Sequence, residues 1–434
     1  MEEPAAARDW TPAAVGSLAA LTVISTFNYL DRSLLGLALP MIKREMQVSD
    51  TVLGLVSGFA FVLFYSLLGM PIAWAADRFN RRNIIAAGFL FWSVMTVLTG
   101  YVTSIGQLAV TRFLMGAGEA CGTPPSNSMI ADLFRPARRP IALSLYGTAF
   151  SLASILLLPI AGWIAEHHGW RQMFVAAGLP GIVLALLFVA TVREPPRGMS
   201  DRQAGERRAA ADPPVPFGEA MRFLAGAPTY LWLLAGVVFM GANIYAAGAW
   251  SATFLVRVHH LGIGEIASIV GPVRGVLGLV GVLTGGVLID RFARADQRWR
   301  AWLPALACLL AGPAELLFIL ADAKPLWIAG LAFSSLLMLV HQGPIYALAM
   351  GVARVRMRAT AVALLLLCSS LLSQAIGPLL VGVLNDAFQP RFGDEAIRYS
   401  LIVVAIVPIL GGMCFWIAGR TLIADVRRAA GERS

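Results

Sequence analysis

The chain has 434 residues, 58% of them hydrophobic and 14% charged, with a formal net charge of +9. Soluble domains carry about 25% charged residues. That deficit, with a mean hydropathy of +0.73, excludes an ordinary soluble domain and points to a polytopic membrane protein. The positive charge is not a nucleic-acid signal, because the arginines gather in short loops between apolar runs.

A helix needs about 20 apolar residues to cross a bilayer. Twelve runs qualify: Val15–Met41, Val52–Ala76, Ile84–Thr103, Gly106–Leu133, Ile141–Glu166, Gln172–Val192, Pro228–Val256, Gly264–Ile289, Ala301–Ala321, Leu326–Met350, Thr360–Leu384 and Ile397–Ile417. They are continuous rather than alternating, which excludes a β-barrel. The N-terminus, MEEPAAARDW, lacks a signal-peptide layout, so the first run is expected to be a retained span. Cys121, Cys308, Cys368 and Cys414 lie far apart in apolar runs and read as small hydrophobes.

Lys and Arg set the orientation. One series of loops carries Arg78, Arg81 and Arg82, then Arg135, Arg138 and Arg139, then Arg291, Arg294, Arg298 and Arg300, then Arg354, Arg356 and Arg358. The opposite series is poorer, so the first is expected to be cytoplasmic, with both termini on that side. The Arg-rich, Lys-poor, Ala-rich composition with short loops suggests a bacterial inner (plasma) membrane.

The expected organisation is an N-terminal six-helix bundle over 1–192, a cytoplasmic linker over 193–219 and a C-terminal six-helix bundle over 220–434. The polar, Pro-rich stretch Arg193–Pro216 reads as a connector and little more. The halves echo each other: Asn28 and Tyr29 in the first span against Asn243 and Tyr245 in the seventh, Asp77-Arg78-Phe79 against Asp290-Arg291-Phe292, and Pro159 with Gly162 against Pro378 with Gly382. Three echoes in order argue for a duplicated unit with a binding site near the midplane. The expected fold class is thus all-α, twelve transmembrane helices in two pseudo-symmetric bundles.

The first span places Asp31 beside Arg32, and the fourth carries Arg112 and Glu119 two helical turns apart, on one face. A charge near the bilayer centre costs roughly 2.5–3.5 kcal/mol on insertion scales, so these groups must meet water or one another. Two readings stay open: a structural salt bridge between the two helices, or a relay in which Asp31 and Glu119 exchange protons while Arg32 and Arg112 meet an anionic substrate. Pro124-Pro125 is expected to bend the fourth span.

The loop AWAADRFNRR, Ala73–Arg82, places Asp77, Arg78, Arg81 and Arg82 where they can latch one conformation, echoed by Asp290 and Arg291. It resembles the signature Gly-x-x-x-Asp-Arg-x-Gly-Arg-Arg of the major facilitator superfamily, with Ala73 and Asn80 in place of two glycines. Asn28-Tyr29-Leu30-Asp31-Arg32, with Arg112-x-x-x-Gly116-x-Gly118-Glu119-Ala120 and Ile130-Ala-Asp132-Leu-Phe134, resembles the spinster family within that superfamily. The resemblance implies that Asp31, Arg32, Arg112 and Glu119 form a proton-coupling and headgroup site, and that the substrate is a lysophospholipid or sphingoid phosphate. Asn-Tyr-x-Asp-Arg also resembles the anion:cation symporters, which implies small organic anions as the alternative substrate.

In the second half, Arg274 either snorkels or binds an anionic headgroup. Asn243, Tyr245, Ser369, Ser370 and Gln374 are candidate cavity polars or interhelical hydrogen bonders. His341, before Gly343-Pro344, is a candidate titratable group or a packed histidine. Glu315 follows Pro313 and reads as an interface residue. Neither metal-ligand spacing nor a nucleophile elbow is present, and neighbours in His167-His168 and His259-His260 point apart. The sequence therefore predicts a proton-coupled transporter rather than an enzyme, with Asn28, Tyr29, Asn243, Tyr245, Arg274 and His341 joining Arg32 and Arg112 around the substrate. It needs no metal or cofactor and no nucleic acid. Its partners are a small amphipathic or anionic substrate, protons and the bilayer, and nothing demands more than a monomer.

Overall fold

The computed structural model describes residues 10–200 and 215–431. The middle of the expected linker, the first nine residues and Arg433 of the tail lie outside them. Among the described residues the chain is helical throughout, with no strand. In lipid every backbone N–H and C=O must be satisfied within the segment, which a helix alone does without a partner.

The elements are α1 (Pro12–Met46), α2 (Asp50–Ser57), α3 (Phe59–Ala76), α4 (Arg81–Thr99), α5 (Ile105–Glu119), α6 (Thr123–Leu133), α7 (Arg139–Gly147), α8 (Ala149–Leu152) and, after a π-turn at Ala153–Leu157, α9 (Leu158–Thr191). Then come α10 (Phe217–Ala225), α11 (Pro228–Arg257), α12 (Ile263–Phe292), α13 (Trp299–Leu320), α14 (Lys324–Leu339), α15 (Gln342–Gly351), α16 (Arg358–Phe392), α17 (Ala396–Ala405) and α18 (Val407–Ala430). Nine runs of the described residues are long and apolar enough to cross a membrane. Two of them, Arg139–Thr191 at 53 residues and Val355–Ala430 at 76, are long enough to cross twice. Gly169, at φ +84°, turns the chain inside the first of these. With the broken span formed by α5 and α6 added to these, the order is consistent with twelve crossings.

The fourth expected span is two helices. α5 stops at Glu119, and α6 starts at Thr123 with Pro124 and Pro125 in its first turn, where a missing N–H costs nothing. Part of the backbone at the break is satisfied locally. Cys121 N–H donates to Gly118 O (3.1 Å), Gly122 N–H to Glu119 O (3.0 Å), and Ser126 Oγ to Gly122 O (2.7 Å).

The chain forms two compact units. The first comprises residues 1–34 and 63–212, the second residues 35–62 and 213–434. In the first, α4 packs on α9, α5 and α6. A Cβ on Gly178 of α9 would lie 2.7 Å from the Ser93 carbonyl oxygen of α4, so the helices approach as closely as a glycine allows. In the second unit α11 packs on α16 and α18, α13 on α14 and α18, and α2 on α16. The short amphipathic helix α10 buries Ala220 and Leu224 there, and Arg354 and Arg428 lie over its Phe223 ring.

The N-terminus of α2 is fully capped within the second unit. Ser49 Oγ accepts from Val52 N–H (3.3 Å), while Asp386 of α16 accepts from Asp50 N–H (2.9 Å) and Thr51 N–H (2.8 Å). Lys43 (2.7 Å) and both Arg257 terminal nitrogens (2.6 and 2.9 Å) hold the buried Asp50 carboxylate. Capping groups are worth about 0.5–2 kcal/mol. Asp386→Ala is therefore expected to lower the unfolding temperature in detergent, whereas Asp386→Asn, which keeps one acceptor, falls by less; equal losses would count against the capping role.

Beside the same end, His259 packs against Phe254 and Trp327. Burial first, and then the Arg398 charge, lower its pKa from the ordinary histidine value. The fold therefore holds the neutral ring. Below about pH 6.5 the unfolded chain takes up the proton more readily, and stability is lost as the pH falls. In His259→Phe that loss is absent, so thermal melts should show the variant gaining on the wild type as the pH drops below neutrality; parallel curves would refute it.

Candidate functional site

α1 carries its polar residues in register. Asn28 and Asp31, three apart, are buried, while Tyr29 and Arg32, also three apart, are partly exposed. Arg32 Nε donates to Glu119 Oε2 at 2.8 Å, and its guanidinium lies 4.9 Å from the centroid of the Tyr65 ring. Glu119 is fully buried at the last residue of α5, with Asn28 turned towards it. One face of α5 therefore does bury both of its charges. Arg112 Nη1 donates to the Asp31 main-chain carbonyl (3.5 Å) and to Met115 Sδ (3.0 Å). Thr96 and Trp92 of α4 face the Asp31 carboxyl, whose Oδ1 has no hydrogen-bond partner among the described residues. Two arginines and two carboxyls thus share the interior of the first unit, formally neutral as a group. Tyr29 lies edge-on to Phe150 (5.6 Å).

In the second unit Asn243 Nδ2 donates to Glu315 Oε2 (2.8 Å) and to the Val404 carbonyl (3.2 Å). Arg274 donates to Ser251 Oγ (2.7 Å) and to the Ala247 carbonyl. Tyr245 is half-buried two residues beyond Asn243. His341 is buried and stacked on Phe415 (6.0 Å), in the turn between α14 and α15.

The expected latch residues divide. Arg81 is 2% exposed and anchored inside the first unit, to Asp132 (2.5 Å), Glu194 (2.7 Å), Ser128 (2.9 Å) and the Pro195 carbonyl (3.0 Å). Arg82 N–H donates to the other Glu194 oxygen (2.9 Å), and Arg78 lies 4.0 Å from the Trp74 ring centroid. Asp77, Asp290 and Arg291 are exposed, with no ion pair among the described residues. The stretch from Arg193 does more than connect. Arg197 donates to the Ala76 and Phe79 carbonyls (2.8 Å each), Gly198 N–H to Asp132 (2.9 Å) and Arg139 to Ser200 Oγ (2.8 Å). Residues 194–200 are a strap across the helix ends of the first unit, because the loop arginines need carboxylates and carbonyls that this segment supplies.

Sequence reasoning missed Glu194, Asp386 and the pairing of Glu315. Only Glu315, a lone carboxylate in an apolar run, carried a local signal.

Removing one member of a buried ion pair costs about 3–5 kcal/mol, because the other charge is stranded. Glu119→Gln and Arg32→Gln are each expected to lower the unfolding temperature. The double variant, with no stranded charge, should recover most of the loss; additive losses in a double-mutant cycle would contradict a direct pair.

The chain is similar to known proteins along most of its length. The family model of the Major Facilitator Superfamily matches residues 21–378. An MFS-type efflux pump of Mycolicibacterium smegmatis is 32% identical over 96% of this chain and 94% of its own length. Protein spinster homolog 1 of Homo sapiens is 29% identical over 95% of this chain and 82% of its own length. Among solved structures, a bacterial homolog of the human lysosomal transporter spinster, in an inward-facing and unoccupied conformation, superposes with a TM-score of 0.85. That match has 29% identity and covers 96% of this chain and 99% of the other. The chain is thus an integral, multi-pass membrane protein and a transporter rather than an enzyme: it belongs to the Major Facilitator Superfamily, and within it resembles the spinster proteins.

Proposed function

We propose that this transporter couples protons to the movement of an amphipathic anionic lipid, such as a lysophospholipid or sphingoid phosphate, by alternating access of its two sequence-duplicated halves. The observation that carries the reading is the Arg32–Glu119 pair, buried beside Asp31 and Arg112. While Glu119 is ionised it occupies Arg32. A proton on Glu119 removes that attraction and leaves the guanidinium, with Arg112, to meet a phosphate. Return of the pair expels the proton and weakens the hold on the headgroup. Two arginines released from two carboxyls suit a compact anion. The large apolar core of the second unit suits a hydrocarbon chain.

Asp31 and Glu119 are the proton-carrying groups, and Arg32 and Arg112 the anion-binding ones, with Asn28 and Tyr29 on the adjoining turns of α1. Arg78, Arg82, Asp77, Asp290 and Arg291, at the Arg-rich ends, latch one conformation, and Arg81 anchors the strap beneath them. That side is cytoplasmic, with both termini, in a bacterial plasma membrane.

The test is flux of a labelled lysophospholipid or sphingoid phosphate in proteoliposomes, with and without an imposed pH gradient. The wild type is expected to show gradient-dependent flux, and Glu119→Gln and Asp31→Asn to lose the gradient dependence. Unimpaired gradient-driven flux in both variants would remove the coupling role. Gradient-driven movement of a sugar acid, without lipid flux, would transfer the same charges to a carrier of small organic anions.

A further inference from the structure

Glu315 takes no part in the mechanism above, yet it is a carboxyl in a membrane span, buried in the second unit at 6% exposure. Asn243, its hydrogen-bond partner at 2.8 Å, is neutral. No cation lies within 4.0 Å of it among the described residues. The charged group whose field reaches it is Arg274 of α12, and that guanidinium is spent on Ser251 Oγ at 2.7 Å and the Ala247 carbonyl. The other elements packed against α13 supply nothing in its place. Lys324 of α14 is paired with Glu265 of α12, and Arg398 of α17 with Asp322 and Glu395. Tyr346 of α15 and Cys414 of α18 are uncharged at neutral pH, and His341 is stacked on Phe415. Of the cations of α18, Arg427 and Arg428 lie on its last turn and Arg420 is exposed.

A second observation comes from the partner. Asn243 Oδ1 is a buried acceptor with no donor among the described residues. Asn243 already gives both amide hydrogens, one to Glu315 Oε2 and one to the Val404 carbonyl. Carboxyl and amide together therefore lack a donor. One proton on Glu315 supplies it: the acid O–H can be given to an acceptor while the other carboxyl oxygen keeps the Asn243 hydrogen bond. An ionised Glu315 would leave a buried charge facing a neutral amide and an orphaned acceptor, which burial penalises twice.

We propose that Glu315 is a second proton-carrying site of this transporter, held as the neutral acid against Asn243 in this conformation and ionised when Arg274 exchanges Ser251 for the carboxylate. The coupling half of this statement rests on the proton-driven reading above; the protonation half does not. The chemistry is a single proton transfer: the O–H bond of Glu315 breaks, the proton leaves to water, and the carboxylate gains the Arg274 ion pair.

Infrared spectra at neutral pH test the protonation directly. In an Asp31→Asn/Glu119→Gln background, where those two carboxyls are gone, a protonated-carboxyl C=O band should remain and should vanish on adding Glu315→Gln. Glutamine keeps an acceptor for Asn243, so the fold is preserved, and unchanged thermal melts check this. An ordinary glutamate is ionised at this pH, with a pKa of about 4.3. Identical spectra with and without Glu315→Gln would overturn the proposal. In proteoliposomes, Glu315→Gln in an otherwise wild-type chain should still move a labelled lysophospholipid. The pH gradient that just balances a given lipid gradient should correspond to one proton fewer per lipid. An unchanged ratio overturns the coupling half. If the wild type shows no gradient-driven flux at all, the proton-coupled reading fails, and the infrared comparison still decides whether Glu315 carries its proton.

Discussion

Four ionisable side chains in the interior of an apolar unit depend on one another. Asp31, Arg112 and Glu119 are buried and each face a cost of several kcal/mol for leaving water, while the partly exposed Arg32 side chain reaches in to Glu119. The Arg32–Glu119 bond at 2.8 Å joins α1 to α5 across 87 residues of sequence. Much of the surrounding architecture answers to that meeting: α4 passes alongside with Thr96 and Trp92 towards Asp31, and α5 ends at Glu119, so that the break before Pro124 falls just beyond the carboxyl. A break in a span is tolerable only where its backbone groups find partners, and here the N–H groups of Cys121 and Gly122 turn back to the Gly118 and Glu119 carbonyls.

The same economy of charge governs the helix ends. Asp50 is completely buried and held by Lys43 and Arg257, while Asp386 caps the helix that Asp50 begins. Arg81 is buried among Asp132, Glu194 and two further acceptors, so the segment after α9 is drawn over the loops as a strap. In each case a charged residue that hydropathy assigns to a loop is a structural anchor, because partial burial removes water and the protein must replace it with fixed donors or acceptors. An Arg-rich loop therefore carries two kinds of arginine. Arg81 is fixed within its unit, whereas Arg291 is exposed.

The two units treat their buried polar groups differently. The first concentrates opposite charges until they cancel. Away from the Asp50 cluster, the second holds the Glu315 carboxyl against an amide and the Arg274 guanidinium against a hydroxyl and a carbonyl, and keeps the two apart. Movement of one proton changes the balance of forces in both, since it alters which of an arginine's possible partners is charged. Repeats that echo each other in Asn28 and Asn243 thus place different chemistry around equivalent helices.

The sequence by itself determined the all-helical class, the placement of the apolar runs, the two-turn spacing that buries Arg112 and Glu119 on one face, and the resemblance carried by Asp31-Arg32 and Gly118-Glu119-Ala120. All of these are local patterns, set by helical period and by the cost of charge in hydrocarbon, and both are readable along the chain. Tertiary structure alone decided which partner each charge meets. Glu194 reaches Arg81 over 113 residues, Glu315 meets Asn243 over 72, and Asp386 caps α2 over 336. No periodicity links such pairs, because a contact between helices depends on how they cross and rotate, which many side chains fix together. The split of the fourth span shows the boundary between the two: Pro124-Pro125 announces a break, but the folded turn decides that it falls after Glu119.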